Sequence, residues 1–403
     1  MPIFYFFAAV AIWLGILSLR GGLRYLSYVR RQVALPLSDY APFVSVIAPL
    51  RGIDQGLKEN IGALFAQNYP AYEIIFVTDA GDDPALRMLE EVRAHLAEAR
   101  ITIASRVVIA GEAIDSGQKV HNLRVAVTEI DPTAEVIVFV DTDVRPHARW
   151  LRSLVAPLSD ERVGAATGYR WFIFPNSLAA HLRSVWNASI ASALGQSGER
   201  NFCWGGSTAI RRTTFEKLKV SERWRGTVSD DFTLTRVLQD ANLPIHFVPH
   251  CLLAAFDDCS FCELLEFTTR QLKITRVYAS HLWKALLIGS LQFVLVFFGG
   301  IALVIGRGML GLSVKAPAIL LGVIFALGAA KSWVRLRAVS LALANYESPL
   351  HKGAAAHLFL WPFASALFLY NSLLAAFSRR INWRGILYEL KSPSEAVIIR
   401  RES

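Results

Sequence analysis

Cysteine is scarce here: the 403 residues include only four, too few to staple a chain of this length into a disulfide framework. Cys259 and Cys262 form a lone C-x-x-C, with His250 and Cys251 upstream and no second pair. A structural zinc wants four well-spaced ligands, so reduced thiols near a helix start are the simpler reading. Basic runs interleaved with aromatic residues, the mark of a nucleic-acid groove, are absent. No nucleic acid is therefore expected as a partner. The formal net charge of +9, from 42 Lys and Arg against 33 Asp and Glu, suits anionic lipid headgroups instead. The long apolar runs also lack ionisable residues, and with them the usual sign of a transport pathway.

What the chain does have is apolar residues: 53% of the total, against about 45–50% in soluble domains. The excess is segregated. Ile3 to Leu19 is uncharged and nearly long enough to span a hydrocarbon core, and Arg20, Arg24, Arg30 and Arg31 follow it. A cleavable signal peptide carries its charges before the apolar stretch, so this reads as a retained anchor. The positive-inside rule then puts the N-terminus outside and the chain after Arg20 in the cytoplasm. Three further apolar stretches, Ala285–Gly306, Ala316–Ala330 and Ala354–Phe377, lie near the other end.

The chain thus divides into an anchor with basic flank (1–32), a water-soluble domain (33–283), membrane segments (284–378) and a basic tail (379–403). Four crossings would leave that tail outside, yet Arg379, Arg380, Arg384, Lys391, Arg400 and Arg401 favour the cytoplasm. Either one C-terminal stretch fails to cross or the tail breaks the rule. The short Ala316–Ala330 run, with Lys331, Arg335 and Arg337 behind it, is expected to be the re-entrant or interfacial one.

Between the membrane segments, short β-branched runs alternate with helical spacing. Phe43–Pro49, Glu73–Thr78, Arg106–Ala110 and Val136–Val140 read as buried strands, and Leu57–Gln67 and Pro84–Leu96 as helices. Near-continuous apolar strands between helices predict an α/β fold with a mostly parallel sheet covered on both faces. Such sheets bind ligands at the carboxyl ends of their strands, and acids collect there. Asp79 follows one strand, with Asp82 and Asp83 close behind. Asp141 and Asp143 follow V-I-V-F-V as D-T-D, and Ser229-Asp230-Asp231 opens a helix-like stretch, Phe232–Gln239.

Clustered carboxylates repel unless a cation or proton is shared. A divalent ion such as Mg²⁺ (or Mn²⁺) relieves that repulsion and bridges phosphate oxygens. Plainer readings stand beside these: a solvated loop for D-x-D, a helix N-cap for Asp230 and Asp231, and an exposed helix lysine for Lys119, which otherwise faces phosphate. Trp171, Phe172, Phe174 and Trp186 read as either core or the lining of a lipid cleft. Leu264–Trp283, with cations and aromatics at helical spacing, reads as an interfacial helix.

Several motifs occur together and in order: P-L-R-G-I-D (Pro49–Asp54), N-Y-P-A-Y-E (Asn68–Glu73), D-A-G-D-D-P-A (Asp79–Ala85), Q-K-V-H-N-L (Gln118–Leu123) and V-D-T-D (Val140–Asp143). G-G-S (Gly205–Ser207), S-D-D-F (Ser229–Phe232) and I-N-W-R (Ile381–Arg384) complete the series. As a set they resemble the ceramide glucosyltransferase family of inverting, family-2-like membrane glycosyltransferases, over about Val44 to Lys391. The resemblance implies a GT-A nucleotide-sugar-binding domain, a divalent metal (Mg²⁺ or Mn²⁺), a UDP-sugar donor, usually UDP-glucose, and a lipid acceptor such as ceramide.

Carried over by position, Asp79 contacts the nucleotide, Asp141 and Asp143 hold the metal, and Asp231 is the general base. Pro49, Lys119, Asp141, Asp230 and Arg270 count among the substrate-binding residues. Arg270-Gln271-Leu272-Lys273-Ile274 stands where the family has R/Q-x-x-R-W. Lys273 keeps the charge but loses the planar fork of arginine, Ile274 replaces the indole, and Arg276 is expected to supply the guanidinium. Lys273 and Arg276 would then stabilise the leaving diphosphate. A polysaccharide synthase of the same lineage carries more membrane segments and keeps the R-W pair. A non-catalytic nucleotide-sugar or lipid binder has no need of the four acids.

Overall fold

The computed structural model describes residues 1–100, 103–173 and 176–401. The chain forms two compact units, both discontinuous: Arg31–Phe172, Ala193–Asp257 and Arg380–Ser403 in one, Met1–Arg30, Ile173–Ser192 and Asp258–Arg379 in the other.

The first unit is built on a seven-stranded sheet. Its strands are β1 (Val44–Pro49), β2 (Tyr72–Thr78), β3 (Ala104–Ile109), β4 (Val136–Val140), β5 (Ala165–Phe172), β6 (Ser207–Arg211) and β7 (Ile245–Ala255), in the order β3-β2-β1-β4-β6-β5-β7. β3, β2, β1 and β4 are mutually parallel, β6 is antiparallel to both neighbours, and β7 is parallel to β5. Every residue of β2 and β4 is buried, as expected for apolar strands with helices on both faces. The α/β fold with a mostly parallel sheet is thus as the sequence predicts. Asp83 caps the helix Pro84–Glu98, its side chain accepting from the Ala85 amide at 2.8 Å. The chain's end adds a three-stranded antiparallel sheet of β8 (Arg380–Trp383), β9 (Ile386–Ser392) and β10 (Glu395–Arg401).

The second unit is helical. Pro2–Val33, Ser280–Met309 and Lys315–Ala342 are each long and apolar enough to cross a membrane. The stretch expected to be re-entrant or interfacial, Ala316–Ala330, belongs to a longer helix. Lys315–Ala342 is one uninterrupted helix of 28 residues, whereas Ala354–Phe377 breaks at Leu360 and resumes as Trp361–Phe377, with Pro362 in its first turn. Proline is tolerated there but cannot continue the preceding helix, because it lacks the N–H and clashes with the turn before it.

Residues 258–379 leave the sheet unit after Asp257, and the chain rejoins it at Arg380. Phe261–Tyr278 opens with a capping box between Ser260 and Glu263. The aromatic residues weighed as a lipid cleft are core: Trp171 and Phe172 are buried in the sheet unit, and Trp186 in the helical unit stacks on Phe368 at 4.8 Å. Phe174 lies outside the described residues.

Candidate active site

Parallel neighbours β2, β1 and β4 end on the same edge of the sheet, so the residues following them share one rim. Asp79 follows β2 and pairs with Arg51, just past β1, at 3.0 Å. Pro49 closes β1, and its carbonyl accepts from the Thr142 hydroxyl at 3.0 Å. That bond, with Asn60 Nδ2 on the Thr142 carbonyl at 3.0 Å, fixes the residue between the two acids of D-T-D.

The D-x-D carboxylates do not sit unscreened. Asp141 Oδ1 accepts from Lys119 Nζ at 2.6 Å, and Arg170 reaches Asp141 Oδ2 at 3.3 Å and Asp143 Oδ2 at 2.9 Å. Two side-chain cations thus screen the two acids. Lys119 is not an exposed helix lysine: its side chain points inward and also lies 3.7 Å from Asp230. Gln118 and Asn122 hold that helix in place. Gln118 Oε1 accepts from the Ala113 amide at 2.9 Å, and its Nε2 donates to the Gly111 carbonyl and to Asn122, both at 2.8 Å.

Burial and charge set the protonation of the cluster. Burial pushes the Asp141 carboxyl up, but Lys119 and Arg170 outweigh it and leave it below the ordinary value. Burial raises Asp143, against the pull of Arg170 and with help from Asp141. Asp230 is pushed up to about 7, mainly by burial, partly offset by Lys119, with Asp231 and Asp141 adding to the rise. Between the ordinary carboxylate value and about 7, Asp230 therefore holds a proton in the folded chain that it releases in the unfolded one, and its contribution to stability falls as pH rises through that window. Asp230→Asn has no such titration. Its melting temperature relative to wild type is expected to climb from pH 4 to 7 and level off above, readable by thermal melts in detergent. A constant difference across that range would remove the buried-acid assignment.

The G-G-S motif has a steric reason. A Cβ on Gly205 would lie 2.2 Å from Asp230 Oδ2, and one on Gly206 would lie 2.2 Å from the Trp204 ring and 2.7 Å from Asp141 Oδ2. Glycine lets the backbone approach both acids. Gly206→Ala is expected to destabilise by about 1–3 kcal/mol through overpacking and to displace the Asp141 carboxylate. An unchanged melting temperature would count against it.

Asp231 stands at the start of the helix Asp230–Asp240, half-buried. Its Oδ1 accepts from the Ser229 hydroxyl and, at 2.8 Å, from the Phe232 amide. The N-cap is Ser229, whose own oxygen accepts from Phe232. The tail returns to this rim: Arg384, in the left-handed region at φ 53°, forms a two-pronged pair with Asp54 at 2.8 and 2.6 Å. I-N-W-R and P-L-R-G-I-D, at opposite ends of the chain, meet there. Arg401 reinforces the join, donating to Gln118 at 3.0 Å and to the Ala113 carbonyl at 2.6 Å.

The sequence pattern of glycosyl transferase family 21 matches residues 3–396. The chain belongs to that family. Among relatives of this family-21 chain, a ceramide glucosyltransferase of Gibberella zeae is 30% identical over 190 residues, 42% of this chain and 36% of that protein. Ceramide glucosyltransferase 1 of Caenorhabditis elegans is 30% identical over 82 residues, 20% of this chain and 17% of that protein. The matches thus span about a third or less of those relatives' length. A solved mannosyltransferase, PcManGT from Pyrobaculum calidifontis in complex with GDP-Man and Mn²⁺, aligns at 19% identity over 92% of this chain and 98% of that one, with a TM-score of 0.47.

Within the family-21 chain, the degraded R/Q-x-x-R-W motif lies in the helical unit, on Phe261–Tyr278. Arg270 pairs with Glu266 at 3.8 Å and faces the Phe267 ring at 5.7 Å. Lys273 is half-buried, and burial lowers its pKa. Ile274 is buried, and Arg276 donates to the Ala375 carbonyl and stands over the Trp283 ring.

Arg170 and Trp204, whose ring lies 5.0 Å from the Arg170 guanidinium, were not singled out from the sequence as site residues. A signal existed for the first. Arg170 interrupts an otherwise uncharged strand, A-A-T-G-Y-R-W-F, and a cation in a buried strand has to be paired.

Proposed function

We propose that this family-21 member transfers a hexose, with glucose the first candidate, from a UDP-sugar to a lipid hydroxyl such as that of ceramide, with inversion. One observation carries the reading: Lys119 joins Asp141 to Asp230, and Arg170 joins Asp141 to Asp143, where β4 ends, with Asp231 next to Asp230 in the chain. A single displacement needs one base and a stabilised leaving group, and no enzyme nucleophile. Asp231 takes the proton from the acceptor hydroxyl as that oxygen attacks the anomeric carbon. Lys119, Arg170 and Arg384 supply positive charge near the diphosphate. Asp79 and Arg51 bound the same rim and receive the nucleotide. A leaving-group role for Lys273 and Arg276, and a substrate role for Arg270, rest on the family motif alone, since the Arg276 guanidinium is already engaged with Ala375.

The donor set fits a divalent ion. Among the described residues no three acids, histidines or cysteines cluster as a protein-only cage. However, Mg²⁺ is commonly held by one or two carboxylates plus substrate phosphates, and Asp143 Oδ1 is buried without a hydrogen-bond partner. Asp143 and Asp141 would hold the ion, which when bound neutralises charge on the diphosphate. The cations after the first anchor, Arg20 to Arg31, support a cytoplasmic position for the sheet unit. The tail shares that unit, so its own cations fit the same side. The test is to supply detergent-purified protein with several UDP-sugars and extracted lipid and identify products by mass. A lipid heavier by one hexose is expected. Its absence for every sugar tried, from protein that melts cooperatively, would remove the proposal.

A further inference from the structure

A cavity of about 260 Å³ lies wholly inside the helical unit, between the helices Pro2–Val33, Leu178–Ala191, Ser280–Met309, Lys315–Ala342 and Trp361–Phe377. Its lining is unlike the apolar surroundings. Lys331, Arg335, Gln292 and Trp361 all face it, and no acidic side chain does. Arg335 is 3% exposed and donates to the Ser332 hydroxyl at 3.4 Å. The Arg335 Nε, Gln292 Nε2 and Trp361 Nε1 donors are buried and unpartnered.

The helix carrying both cations runs past Ala330 to Ala342, so Lys331 and Arg335 belong to a candidate membrane span, where the sequence reading had left the apolar runs without ionisable residues. A cation in such a place is costly unless something pairs with it, and donors without acceptors ask for an anionic, oxygen-rich ligand.

Depth identifies the source. Lys331 and Val334 pack beside Gly22, while Leu327 packs beside Gly15. On the first helix the apolar run ends at Leu19, and Arg20 and Arg24, flanking Gly22, are exposed. Lys331 therefore lies at the depth where that helix turns polar, which is the headgroup layer. The volume far exceeds the roughly 30 Å³ share of one water molecule but is too small for a whole lipid. We propose that Lys331 and Arg335 bind the phosphate of an anionic lipid headgroup, whose acyl chains stay outside among the helices.

The full chain in detergent would be titrated with dioctanoyl-phosphatidylglycerol, dioctanoyl-phosphatidylcholine or inorganic phosphate, with binding read by native mass spectrometry and thermal shift. No turnover is involved, so the result is separate from the transferase proposal. Saturable binding of phosphatidylglycerol, absent for phosphatidylcholine, is expected. Lys331→Gln, at the less buried of the two cations, should weaken it at least about tenfold, the loss of one charge-assisted contact, and Lys331→Arg should restore it. Equal binding of the two lipids, or a Lys331→Gln protein that binds phosphatidylglycerol like wild type, would overturn the assignment. So would inorganic phosphate alone producing the full shift, which would make the ligand a free anion.

Discussion

Asp231→Asn is expected to lower the rate of sugar transfer by about 10²–10⁴-fold, the usual contribution of a positioned general base, while leaving the fold intact. Both of its visible roles at the helix start are as acceptor, for the Ser229 hydroxyl and the Phe232 amide. Asparagine keeps an oxygen for those donors and loses only the ability to take a proton at working pH. UDP-sugar affinity should therefore stay near wild type, separating the loss of a base from the loss of a binding site. Wild-type turnover in the purified variant would move the base elsewhere, with Asp230, buried directly after the Ser229 cap and pushed up to about 7, the next candidate.

Arg170→Leu is the second large effect. The Arg170 side chain is 15% exposed and lies between Asp141 and Asp143, themselves 16% and 22% exposed. Removing it leaves two neighbouring carboxylates with only Lys119 close to one of them. Breaking a buried ion pair by deleting one partner costs about 3–5 kcal/mol, and a loss of that size should be plain in a thermal melt. Arg170→Lys should recover little, because one ammonium cannot span both acids as the guanidinium fork does. A melting temperature within a degree or two of wild type for Arg170→Leu would mean that the pair is solvated and that the acids need no protein cation.

Where function and sequence run locally, much of this was legible. V-I-V-F-V is wholly buried as β4, and the acids that follow it stand at the carboxyl end, because an apolar run of that length admits few other placements. What was hidden depends on contacts between residues far apart in the chain. Arg170 meets Asp141 and Asp143 only because β5 joins the sheet through the antiparallel β6, a pairing no periodicity announces. The tail was legible as positive charge alone. That Arg384 would reach Asp54, and Arg401 Gln118, depends on a sheet whose short strands are too varied to predict. Ala316–Ala330 reads as short because hydropathy stops at Lys331, whereas the helix continues past Lys331 and the buried Arg335 to Ala342.

On the proposed function, these acids serve a nucleotide-sugar whose hexose passes to a lipid hydroxyl while the nucleoside diphosphate leaves. The measurement closest to it is UDP release by purified wild-type protein supplied with UDP-sugar and Mg²⁺ or Mn²⁺, with and without extracted lipid. Release that rises with lipid, stops with a chelator and falls in Asp231→Asn is the predicted result. Release at the same rate without lipid, or none from well-folded protein under any combination, would contradict it.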